Sequence, residues 1–175
     1  HQVKYSSKTG IPPVDKGLLM CYNMGNLKNP STNNSIIEVD ELKKYLGGLN
    51  SYPLQLNVAL PLFEWWVLFR RNQFKGILQR IDPSILSNSI CSKQNNRYHF
   101  LVDTTINNIQ FYKGDILRHE ESTAAVLQQT AAYVAEKLSP VNQQTRILFY
   151  HFDSLLLSKH PTHELEALYS RFHQQ

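Results

Sequence analysis

The sequence predicts an α/β fold, a mainly parallel sheet with an inserted antiparallel β-hairpin. Three observations predict it. Residues 17–23, 54–63 and 146–154 are nearly continuous apolar runs, the pattern of strands buried on both faces. Segments of helical period lie between and after these runs. Residues 97–118, "RYHFLVDTTINNIQFYKGDILR", instead carry β-branched and aromatic residues around Asn107-Asn108, a pair that tolerates positive φ.

Taken in order, residues 3–15 are expected to be irregular, with Gly10 and Pro12-Pro13 as breakers. "KGLLMCYNMGN" (16–26) supplies the first strand, whose apolar part ends in Cys21, Tyr22 and Asn23. A polar loop follows over 26–35. Asp40 is placed to cap a helix running to about Asn50, with Leu42, Tyr45, Leu46 and Leu49 on one face. Pro53 stops it, and "LQLNVALPLF" (54–63) is the second strand. Strand, helix and strand with short joints make a βαβ unit. The apolar run continues through Trp65, Trp66, Val67, Leu68 and Phe69, and 70–96 reads as loops with a short helix.

After the hairpin, Ala124, Leu127, Ala131, Val134 and Leu138 share one face of a helix over 122–138. Glu120 and Glu121 stand at its start, where the helix dipole favours solvated carboxylates. "RILFYHFDS" (146–154) is the third strand. Pro161-Thr162 opens a last helix with Leu165, Leu168, Tyr169 and Phe172 inward. The 175 residues are read as a single α/β domain or a fragment of a larger one.

Composition narrows the function. Hydrophobic residues are 42%, charged 18% and aromatic 11%, which describes a folded chain with one sizeable core. The net charge of +4 is dispersed, so no nucleic-acid partner is expected. The longest apolar stretch is interrupted by Pro61 and Glu64, which excludes a membrane-spanning helix there. Cys21 and Cys91 have no metal-ligand spacing, and sequence leaves open whether they pair. With no phosphate loop, dinucleotide turn or zinc-protease motif, neither a cofactor nor a metal is expected. The chain opens with His1, and a fragment or processed product is the expectation.

The three strands end alike: Cys21-Tyr22-Asn23, Phe63-Glu64-Trp65-Trp66, and Tyr150-His151-Phe152-Asp153. Parallel architectures place ligands at the carboxyl ends of strands. Aromatic faces cover sugar rings, and carboxylates and amides bind sugar hydroxyls. The expected partner is therefore an oligosaccharide. Tyr22, Asn23, Trp65, Trp66, Tyr150 and His151 are the candidate contacts. Glu64 and Asp153 are the candidate catalytic carboxyls, because glycoside hydrolysis usually needs two facing groups.

"LLMCYNMG" and "LQLNVALPLFEW" resemble the late strands of chitinase-like glycoside hydrolase (βα)8 barrels, and a bacterial group of glycoside-hydrolase-like proteins. Met20, Tyr22 and Asn23 match that superfamily's MxYD strand, with Asn in place of Asp. Ala59, Leu60, Pro61 and Phe63 match the following LxxGxPxY strand loosely. The resemblance implies the C-terminal half of such a barrel, with 97–118 as its β-rich insertion and 146–154 as its last strand. It also implies a periplasmic or extracellular location. The superfamily's DxxDxDxE acid strand does not occur in this chain. A missing N-terminal segment or a second chain would then complete the fold. The functional expectation is a glycoside-hydrolase-like protein that acts on or binds an oligosaccharide. The alternative is a non-catalytic carbohydrate- or protein-binding domain on a degenerate barrel.

Overall fold

The computed structural model describes residues 2–138, 145–151 and 153–172. In chain order the elements are α1 (Gln2–Thr9), β1 (Lys16–Met20), α2 (Val39–Lys43), β2 (Gln55–Pro61), β3 (Glu64–Arg70), β4 (Gln73–Leu78), β5 (Cys91–Gln94) and β6 (Arg97–Phe100). They continue with β7 (Thr104–Ile106), β8 (Ile109–Phe111), β9 (Ile116–Glu121), α3 (Ala124–Lys137), β10 (Ile147–Tyr150), α4 (Ser154–Leu157) and α5 (Thr162–Ser170). Single 3₁₀ turns lie at Leu49–Ser51 and Pro83–Ile85. Among these residues no helix is long and apolar enough to cross a membrane.

The chain divides into two compact units. The first comprises 1–25, 36–63 and 122–175, the second 26–35 and 64–121. The first unit holds the parallel sheet, in the order β1-β2-β10. Both neighbours run parallel to β2, in the registers Met20↔Ala59 and Leu148↔Ala59. These are the three strands expected from the apolar runs. Leu56, Val58 and Leu60 of β2 are buried. Gly17 lets β1 pack closely, since a Cβ there would lie 2.8 Å from Leu56 Cδ2 and would push that side chain aside. Leu127, Ala131 and Val134 form the buried stripe of α3, which packs against α2 and α5. Its cap is Thr123, whose hydroxyl accepts from the Val126 amide.

The second unit holds the larger sheet, a five-stranded antiparallel one in the order β4-β3-β9-β6-β5. Its core contains Trp66, Tyr98, Phe100, Phe111 and Leu117, with Phe100 and Phe111 stacked at 4.4 Å. The separate β7/β8 hairpin turns at Asn107-Asn108, both at positive φ, as expected.

Several expectations are corrected. Antiparallel pairing dominates where a mainly parallel sheet was expected. The expected insertion at 97–118 is part of that larger antiparallel sheet, because Arg97–His99 of β6 pair with Ile116–Arg118 of β9. The tryptophans do not prolong the second parallel strand. They lie on β3, which pairs with β4 and β9. Residues 70–96 contain β4 and β5 as well as loops. Residues 2–9 are helical, ending at Gly10 with φ +75°. Asp40 lies inside α2, whose cap position is Glu38, and pairs with Lys43 one turn on. Leu168 of α5 and Phe172 just beyond it are buried, but Tyr169 is 49% exposed. Cys21 and Cys91 are both free, buried thiols.

Candidate functional site

The carboxyl ends of the parallel strands carry an aromatic cluster. Tyr22, two residues past β1, stacks on Tyr150, the last residue of β10, with centroids 5.3 Å apart and planes 6° from parallel. Phe63, two residues past β2, meets both rings edge-on, at 5.9 Å from each. His151 follows through a cis peptide bond and lies 5.4 Å from Tyr150 and 6.3 Å from Phe63. The convergence follows from parallel pairing, which brings the three strand ends to one side of the sheet. Burial, then the neighbouring Tyr150 phenol and Cys21, hold the Tyr22 phenol above the ordinary phenol range. Tyr22 therefore stays a neutral hydroxyl able to donate and accept. Tyr150 is half exposed, and Phe63 is buried beneath.

A cleft of about 510 Å³ runs along β1 to this end of the sheet. Val14, Leu18, Met20, Tyr22, Asn23 and Tyr52 contribute to its lining. Asn23 is exposed and has a left-handed backbone, φ +56°, and its amide donates to the Ile36 carbonyl at 2.7 Å. A short polar side chain suits that conformation.

The two expected catalytic carboxyls fall in different units. Asp153, in the first, caps α4: its Oδ1 accepts from the amides of Leu155 at 2.9 Å and Leu156 at 3.3 Å. Glu64, in the second, begins β3, with Oε2 3.3 Å from His119 Nε2. Trp65 is half-buried and donates its indole N–H to Glu120 Oε2 at 2.9 Å. Trp66 is 1% exposed and stacks on His119 at 4.2 Å, so its ring faces are occupied in the core.

Sequence reasoning missed the polar centre of the second unit. Glu120 was expected as a solvated residue at a helix start, but it lies on β9 and is 1% exposed. It pairs with buried Arg118 at 2.6 Å and accepts from the Ser35 amide at 2.7 Å. Arg118 also donates to the carbonyls of Asn29 and Leu27. Arg97 donates to those of Pro30 and Thr32. The loop 26–35, polar in sequence and poor in core residues, is thus held by side chains from two strands. The signal that could have found it is the alternation Arg118-His119-Glu120-Glu121, which sends Arg118 and Glu120 to one face of a strand.

No family model matches the chain, and no curated protein matches it. Among solved structures it is similar to the spore cortex-lytic enzyme SleL of Bacillus cereus, at 15% identity and a TM-score of 0.49. The alignment covers 90% of this chain and 34% of that one, so the chain spans about a third of the enzyme's length.

Proposed function

We propose that this protein binds an oligosaccharide at the carboxyl ends of β1, β2 and β10, with Tyr22, Asn23, Tyr150 and His151 as contacts. One observation carries the reading: Tyr22, Phe63, Tyr150 and His151, far apart in sequence, meet at one end of a parallel sheet beside an open cleft. The half-exposed Tyr150 ring offers a stacking face, and the protonated Tyr22 hydroxyl and the Asn23 amide offer polar contacts to sugar hydroxyls. A parallel sheet with its ligand at the strand ends is also what half of a glycoside-hydrolase-like barrel would contribute.

Binding without hydrolysis is favoured over catalysis by Asp153. Its Oδ1 is committed to the first amides of α4, which does not suit a group that must trade protons with a substrate. The test is calorimetric titration of the protein with a panel of neutral and N-acetylated oligosaccharides. Tyr150→Ala is expected to weaken binding at least tenfold while leaving the melting temperature nearly unchanged, because the ring is half exposed. Absence of binding to every sugar in the panel overturns the reading. Turnover that disappears in Asp153→Asn would restore the hydrolase reading.

A further inference from the structure

We propose that the antiparallel sheet of the second unit carries a site for a divalent transition-metal ion of the Zn²⁺ class, formed by Glu64, His119 and Glu121. The strand register builds it. Glu64 stands opposite Glu121 across the β3/β9 pair, and Trp66 stands opposite His119. Side chains alternate along a strand, so all four leave the sheet on the same face. One ligand atom from each of Glu64, His119 and Glu121 lies within 4.8 Å of the other two.

The distances suit a small ion. Two ligands each about 2.0–2.1 Å from a tetrahedral zinc ion are about 3.3–3.4 Å apart. His119 Nε2 and Glu64 Oε2 are 3.3 Å apart. Glu121 is exposed, so its carboxylate can close the remaining gap by a change of rotamer. The donor set selects the class of ion. One imidazole nitrogen with two carboxylates suits zinc and its first-row neighbours, whereas calcium and magnesium take oxygen alone.

Two features support a site over an accidental meeting of side chains. Like charges directly opposite on paired strands repel, and a divalent cation between Glu64 and Glu121 converts that repulsion into attraction. The imidazole is also held in place. It stacks on buried Trp66 at 4.2 Å, and the His119 backbone is tied to Asn96 at both its N–H and its carbonyl. Three protein ligands leave one position of a tetrahedral ion open to water, as in zinc sites that bind or polarise a further ligand. Sequence gave no hint of the site, because Glu64 and His119 are 55 residues apart and meet only through strand pairing.

The experiment is titration of the chelator-treated whole protein with Zn²⁺ by calorimetry and with Co²⁺ by visible absorption. The expected result is one high-affinity ion per chain, a tetrahedral Co²⁺ spectrum, and a change in tryptophan fluorescence from the ring beside His119. Glu121→Gln and His119→Gln should each lower affinity by more than the roughly 10–100-fold typical of outer-shell substitutions. Glu121 is exposed, so Glu121→Gln tests the ligand without threatening the fold, and thermal unfolding checks that His119→Gln remains folded. The chain has 7 histidines, and binding that survives both substitutions is adventitious and overturns the proposal. Equal affinity for Ca²⁺ overturns it too, since it would assign the cation to carboxylates alone.

Discussion

Arg118 and Glu120 are each fully buried side chains, and each has several partners. Burial pushes the Arg118 guanidinium below its ordinary value, and Glu120 opposes that shift. Breaking such a pair leaves a charge without compensation. Glu120→Gln should therefore cost about 3–5 kcal/mol in urea unfolding. The double variant Arg118→Met/Glu120→Leu should not recover it, because the Leu27 and Asn29 carbonyls and the Ser35 amide would lose their partners. Cys21 gives a pH prediction. Burial raises its thiol from 9.0 to about 12, so the folded state holds a proton that the unfolded state releases. The protective contribution is complete below about pH 9 and is lost as pH rises toward 12. Stability should fall through that window by at most about 1.4 kcal/mol per pH unit. Cys21→Ser should lack that component of the slope when denaturation is followed at several pH values.

Hairpins show how much of an element is legible. Asn107-Asn108 was readable as a turn because asparagine tolerates positive φ, and β7 and β8 close on it through the pair Ile106↔Ile109. The same chemistry recurs at Asn95-Asn96 between β5 and β6 and at Arg71-Asn72 between β3 and β4. Asn95, Arg71 and Asn72 all have positive φ. The β5/β6 hairpin was missed because its flanks are largely polar, and the β3/β4 hairpin because Arg71 is a poor marker for a left-handed residue. Asn107→Val should destabilise the protein by about 1–2 kcal/mol, whereas Asn107→Gly should be nearly neutral, as thermal unfolding can show. The boundary at Phe63/Glu64 was marked only by Pro61 and Glu64, which interrupt the apolar run without showing that it changes sheet. Both β2 and β3 are largely buried, so one apolar run passes through two strands that belong to different sheets.

Across the molecule, the parallel sheet departs from the usual rule that both faces of such a sheet are covered. Register aligns Met20, Ala59 and Leu148, and Met20 is 52% and Leu148 42% exposed. Leu18 and Tyr150 are about half exposed as well. Exposed apolar surface of this kind binds hydrophobic dyes. Met20→Lys/Leu148→Lys should lower dye fluorescence by more than half while changing stability by less than about 1 kcal/mol, since neither side chain is in the core. Unchanged fluorescence would show that this face is not the accessible apolar surface.

Local chemistry in the sequence was sufficient to mark the three parallel strands, the helix packed through Leu127, Ala131 and Val134, and the Asn107-Asn108 turn. Each of these leaves a signature within a few residues: an apolar run, a 3.6-residue period, or a pair that accepts positive φ. The aromatic residues at the strand ends were legible for the same reason, because strand ends can be counted along the chain. Only tertiary structure decided that the tryptophans lie in an antiparallel sheet, that Glu120 is buried against Arg118, and that Glu64 meets His119 and Glu121. Those outcomes depend on which strands pair and in what register. A shift of one residue would send every side chain of a strand to its other face, and the partner that fixes the register lies dozens of residues away.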